Sequence, residues 1–159
     1  MTSRIFLAAL AASAVALAYT GDSFAEKFEA MPRAAQDTAK ANMEHALPIS
    51  ISSTQREQGW EYHINTRLNG ETHDLVIDDK GKLLAVKDGT NLESIPPAVK
   101  AALEKQAPAS NITLLEKVTE DGRVSYGAVM KDDTPGKFVR VRISTDGTLQ
   151  SKNQQDTDR

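Results

Sequence analysis

Apolar positions along this chain follow two alternating periods. Ala35, Ala39, Met43 and Leu47 recur at a spacing of four, a narrow helical stripe that opens after Met31-Pro32 and is stopped by Pro48. From Ile49 and Ile51 the period becomes two. The chain turns near Glu57-Gln58-Gly59, and the alternation resumes from Trp60 to Leu68. Asn69-Gly70 is the strongest hairpin signal, since both residues tolerate the positive φ of a type I′ turn. It predicts Leu68 opposite Glu71, Ile64 opposite Leu75 and Tyr62 opposite Ile77, so the apolar members share one inner face. Asp79-Lys80-Gly81 makes the next turn and returns Leu83 to that face. Trp60 has inner parity and is expected to pack there rather than bind, with exposure at the sheet edge as the alternative.

The same order then returns. Ile95-Pro96 opens a stripe of Val99, Ala102, Leu103 and Ala107, which Pro108 ends. Glu120-Asp121-Gly122 repeats the earlier turn, Tyr126 answers Tyr62, and Asp146-Gly147-Thr148-Leu149 answers Lys80-Gly81-Lys82-Leu83. Placing Tyr126 opposite Ile143 puts Ala128 opposite Val141 and Met130 opposite Val139. The pattern predicts an α+β fold of two tandem repeats, each an α-helix packed on one face of a three- to four-stranded antiparallel sheet. The first repeat is expected over 26–90 and the second over 91–151, with 152–159 a polar tail that has nothing to bury.

Residues 1–25 read as an export signal rather than as fold. Arg4 is the positive start, Ile5 to Ala18 is an apolar run broken only by Ser13, and Ser23-Phe24-Ala25 offers small residues to a signal peptidase. Ala16-Leu17-Ala18 is a second cleavage site. The apolar run is shorter than the roughly 20 residues a bilayer span needs. The expected location is therefore periplasmic or secreted, with no stable membrane anchor after cleavage. A net charge of −3 gives no reason to expect nucleic acid as a partner. The chain has no cysteine, so packing alone must hold it in a compartment that permits disulfides.

An Ala-rich helix opened by proline, a charged turn ending in glycine, a Tyr-bearing strand and a closing Asp-x-x-Gly-x-Leu resemble the PepSY-like domains of exported bacterial proteins. The stretch that carries the resemblance runs from Ile95-Pro96-Pro97 through Glu120-Asp121-Gly122 to Ser144-Thr145-Asp146-Gly147-Thr148-Leu149; Asp78-Asp79-Lys80-Gly81-Lys82-Leu83 is its clearest part in the first half. The tandem arrangement is similar to that of secreted β-lactamase-inhibitor proteins. That resemblance implies a non-catalytic binding or inhibitor-like module acting on an extracytoplasmic protein or peptide.

No catalytic constellation emerges from the residues. There is no Gly-x-Ser-x-Gly elbow, no cysteine nucleophile and no glycine-rich phosphate loop. Asp78-Asp79 and Asp132-Asp133 fall at turns, where aspartate serves the backbone, and no calcium-loop spacing accompanies them. The hairpin register sends His63 and His73 to opposite faces, so they cannot chelate one ion, and His45 sits at a helix end. No metal or cofactor is expected. The candidate binding residues lie on the sheet face away from the helices: Phe138 as anchor, Arg140, Arg142 and Lys131 as charges around it, and His63 in the first half, where Glu61, Asp74 and Asp78 add acidity. A basic patch of this kind fits an acidic protein surface or a second copy of the chain, so dimerisation stays open. The alternatives are a chaperone-like or structural module pairing extended peptide with a sheet edge at Ile49–Thr54 or Ile112–Lys117, and a small-ligand-sensing domain.

Overall fold

A computed structural model describes residues 23–43, 45–106 and 111–156. Of the export segment expected over 1–25, residues 1–22 lie outside the described residues, as do the helix stop at Pro108 and the last three residues. The elements, in order, are α1 (Phe24–Glu29), α2 (Arg33–Asn42), β1 (Leu47–Arg56), β2 (Gly59–Leu68), β3 (Glu71–Asp78), β4 (Leu83–Gly89), α3 (Pro97–Glu104), β5 (Ile112–Glu120), β6 (Arg123–Lys131), β7 (Lys137–Ser144) and β8 (Leu149–Asp156). All eight strands form one antiparallel sheet in sequence order, β1 to β8.

This corrects the expected α+β architecture of two tandem helix-on-sheet repeats. The finding that overturns it is the β4–β5 ladder, in which Ala85 to Gly89 pair with Glu120 to Glu116 and make the sheet continuous. Helix contributes little: α1, α2 and α3 span 6, 10 and 8 residues. The sheet is the frame, and the helices are short covers on it.

Within each hairpin the registers are those the turns dictate. Tyr62 faces Ile77, Ile64 faces Leu75 and Leu68 faces Glu71; Tyr126 faces Ile143, Ala128 faces Val141 and Met130 faces Val139. Asn69 and Gly70 both take positive φ, at 54° and 87°, as a type I′ turn requires. The inner face buries two apolar clusters. One joins Met31, Ala35 and Ala39 to Ile51, Ile64, Leu75 and Ile77. The other joins Ile95, Val99 and Leu103 to Leu115, Tyr126, Ala128, Met130, Val141 and Ile143. Because β4 pairs Val86 with Thr119 of β5, both clusters and the helices above them lie on the same side of the sheet.

Three local expectations differ from the structure. The first helical stripe stops at Asn42, and Leu47 and Pro48 open β1 instead, with a register shift between Pro48 and Ser50 that takes up the missing proline N–H. Residues 149–156, largely read as tail, form edge strand β8 on β7. A ladder is held by backbone hydrogen bonds, which a polar sequence supplies as well as an apolar one. Trp60 is 42% exposed rather than packed, since it pairs with Gln55 on edge strand β1, where the helical cover ends.

Sequence periodicity also missed α1. Ser23 caps it in a capping box, its hydroxyl accepting from the Glu26 N–H while the Glu26 carboxylate accepts from the Ser23 N–H. The Phe24 and Phe28 rings stack at 5.7 Å and pack against the first cluster.

His73 ties a helix end to the sheet. Its Nε2 lies 3.0 Å from the Asn42 carbonyl oxygen at the end of α2, and its Nδ1 lies 2.7 Å from the Asp88 carboxylate on β4. Both partners accept, so both ring nitrogens must donate, which only the imidazolium does. Burial opposes the charge, but the hydrogen bonds to Asp88 and Asn42 and the charges of Asp88 and Asp74 outweigh it and raise the pKa. A raised folded pKa contributes stability that is complete below the unfolded value of about 6.5 and is lost as pH rises through the folded value. The melting temperature is therefore expected to fall between pH 6 and pH 8. His73→Gln should remove that part of the slope, and identical pH profiles for the two proteins would contradict the assignment.

Candidate binding face

The sheet face opposite the helices carries no other element among the described residues, so its strand alternation can be read straight across the ladders. One row runs through Ser52, His63, Val76, Ala85, Glu120 and Arg123. The next runs through Asp74, Lys87, Val118, Ser125 and Ser144, and a third through Gly89, Glu116, Gly127, Arg142 and Ser151. Nearer the β6–β7 turn, Val129 faces Arg140 and Lys131 faces Phe138. Although nothing is layered over it, the centre of this face is shielded. Val76, Ala85, Val118 and Ser125 are all at most 7% exposed. Longer side chains stand directly beside them in register, His63 next to Val76 and Lys87 next to Val118.

The charges here are unevenly satisfied. Arg142 is fully engaged: its Nε donates to Ser125 Oγ at 2.9 Å and its guanidinium holds Glu120 at 3.1 Å. Arg56 holds Glu61 at 2.9 Å, and His63 Nε2 lies 3.8 Å from the same carboxylate. Burial, with Lys87 and Arg56 nearby, lowers the His63 pKa despite Glu61, so its imidazole is neutral at pH 7. Asp74 accepts from the Thr66 N–H at 3.2 Å, yet burial raises its pKa. Glu116 is 6% exposed, and burial raises its pKa as well, against the charges of Lys87 and Arg140.

Four of the five candidate residues come together. Phe138, Arg140, Arg142 and Lys131 sit on β6 and β7 on the uncovered face, with Phe138 half-buried and Arg140 and Lys131 exposed. His63 shares the face but stands on β2, four strands from Lys131 on β6 and five from the β7 residues, or about 19 to 24 Å across the sheet at the usual strand spacing. Arg142 serves this chain's own Glu120, which leaves Arg140 and Lys131 as the cations facing outward. Sequence reasoning missed Glu116, whose place beside Gly89 depends on the β4–β5 register, and the Asp74–Lys87 pair, which the β3–β4 hairpin sets. Of the two expected peptide-binding edges, β1 is an edge strand, whereas Ile112–Lys117 lies in inner strand β5, where Glu116 and Lys117 pair with both β4 and β6 and the residues before them have strand partners on β6 alone.

No protein-family model matches the chain, and no curated protein is similar to it in sequence. Solved structures do share the fold. A DUF2874 family protein from Bacteroides ovatus aligns with a TM-score of 0.60 at 17% identity, over 84% of this chain and 89% of that one. A BLIP-like protein from Bacteroides fragilis aligns at 0.57 and 18% identity, over 79% and 87%. A Bacteroides eggerthii protein provisionally described as periplasmic aligns at 0.63 and 12%, over 78% and 88%. At these identities the likeness is one of fold. The resemblance to β-lactamase-inhibitor architecture has a counterpart among these structures, and the resemblance to PepSY-like domains has none. No helix among the described residues is long and apolar enough to cross a membrane.

Proposed function

We propose that the protein is an exported, non-catalytic binding module that holds a protein or peptide on the uncovered sheet face. The observation that carries this reading is the face itself. It spans the sheet, the side chains at its centre are little exposed, and Phe138, Arg140 and Lys131 stand at one end with no ion pair between Arg140 or Lys131 and any described carboxylate. A rigid surface with a half-buried aromatic beside outward cations loses little entropy on binding and can supply an anchor at that end. The BLIP-like neighbour agrees with such a use, and the neighbour described as periplasmic agrees with export.

The test is capture from extracytoplasmic extract by the protein and by two charge-reversed variants. Arg140→Glu on the uncovered face should reduce recovery of a stoichiometric partner about tenfold or more. Lys100→Glu, on the exposed side of α3, should leave it unchanged. Equal recovery by both variants would sink the reading.

A second reading is favoured by one observation. Edge strand β1 exposes Leu47 by 71% and Ile49 by 53% beside unpaired backbone groups, the surface on which an extended peptide adds a strand. It predicts that capture survives Arg140→Glu and is lost on Leu47→Ser with Ile49→Ser.

A further inference from the structure

The uncovered face contains one charged side chain that this chain largely covers without pairing, its carboxylate still reaching the surface. Glu116 is 6% exposed, yet its carboxylate has no hydrogen bond and no ion pair within 4 Å among the described residues. The cations that approach it are committed or distant. Arg142, opposite the adjacent Gly127, turns to Glu120 and Ser125. Lys87 and Arg140 act on Glu116 only through space. Taking a carboxylate out of water without a partner is costly, and the cost is recovered when a cation meets it there.

The neighbours of Glu116 leave room for such a cation. In register it lies between Gly89 on β4 and Gly127 on β6; the Glu71 carboxylate of β3 comes within 3.2 Å of where a Cβ on Gly89 would stand, so the open side is the one over Gly127. Its Oε2 is 3.9 Å from where a Cβ on Gly127 would stand, which turns the carboxylate into the gap over that glycine. A metal ion is a poor fit, because no group of three or more His, Cys, Asp or Glu side chains converges among the described residues. One largely covered carboxylate beside an open glycine suits a single ammonium or guanidinium on a flexible stem.

We propose that Glu116, set between Gly89 and Gly127, is the receptor for a lysine or arginine side chain that a protein partner presents to the uncovered face. The inference rests on the reading of that face as the binding surface and adds the partner's chemistry. It also changes the expected complementarity: the outward Arg140 and Lys131 attract acidic groups at the periphery, while the centre selects one basic residue.

The test uses peptides of unbiased sequence selected against the protein, with each footprint read from backbone amide shifts. Peptides that shift Gly89, Val118 and Gly127 are expected to need one lysine or arginine. Replacing that residue by norleucine or citrulline should weaken binding about 30-fold. Glu116→Gln should cost the same factor, and the two changes together should cost little more than either alone. Glu116→Gln removes a buried charge without changing shape, so folding is expected to survive. Gly127→Ala gives an independent variant: its Cβ would make ordinary contacts, 3.7 Å to Val118 Cγ2 and 3.9 Å to Glu116 Oε2, while narrowing the gap and weakening the same peptides. Peptides that shift these amides but ignore both Glu116→Gln and loss of their basic residue overturn the inference and leave the binding face standing. Peptides that footprint only on β1 or on the helices overturn both.

Discussion

Gly81→Ala and Gly147→Ala are each expected to cost about 3 kcal/mol, more than an alanine substitution at any other positive-φ glycine whose surroundings are open. Two effects add at these sites. The backbone takes φ of 85° at Gly81 and 87° at Gly147, a region that L side chains enter only at a cost. The second effect is a collision. A Cβ on Gly81 would lie 2.7 Å from the Ala34 carbonyl oxygen of α2, and one on Gly147 would lie 2.7 Å from the Ala98 carbonyl oxygen of α3. Each helix thus rests by its backbone on a turn glycine. Relieving the clash means lifting the helix, which at Gly81 would also pull Thr38 Oγ1 away from the Gly81 carbonyl it donates to at 2.6 Å. Gly70→Ala separates the two effects. Gly70 has φ of 87° but nothing within 4 Å of its Cβ position, so only the conformational part, about 1 kcal/mol, should appear. Urea titration of the three variants reads the difference, and equal losses at Gly70, Gly81 and Gly147 would contradict the docking role.

These turns also mark how far the fold was legible from sequence. Where a short turn joins two strands, its chemistry fixes the register and hence the face of every residue; Asn69-Gly70 did so for Tyr62, Ile64 and His73. Where strands meet across a long connection, no local signal operates. The β4–β5 ladder forms after the chain has passed through α3, so neither sheet continuity nor the seat of Glu116 between two glycines was readable. Apolar periodicity likewise cannot announce β8, whose side chains stay polar because its stabilising groups are backbone. The binding residues divide in the same way. The parity of Phe138, Arg140, Arg142 and Lys131 was accessible from β6 and β7, but the diversion of Arg142 to Glu120 required knowing which residue of β5 lies across the sheet. Type and face are local properties, whereas partnership is a tertiary one.

Leu103→Ala tests whether the continuous sheet behaves as one cooperative body. Leu103, on the buried side of α3, is fully buried in the second cluster, so truncation leaves a cavity and should cost about 3 kcal/mol, or roughly 12 °C in melting temperature for a chain of this size. Trp60, the one tryptophan, lies on β2 in the other half of the sheet and reports unfolding there without touching the mutated site. Two apolar clusters in a small chain could melt separately if only a loose joint linked them. They are linked instead by five residue pairs between β4 and β5, and Val76, Ala85 and Val118 remain buried over that seam on the uncovered face. Opening one half would expose these side chains and break the shared ladder, so the unfolding of either cluster removes support from the other. The Trp60 fluorescence transition is therefore expected to move down with the far-UV circular dichroism transition, as a single step. A Trp60 transition that stays in place while part of the dichroism signal melts earlier would mean two independently stable halves, and the uncovered face would then lose the rigidity on which its use as one binding surface depends.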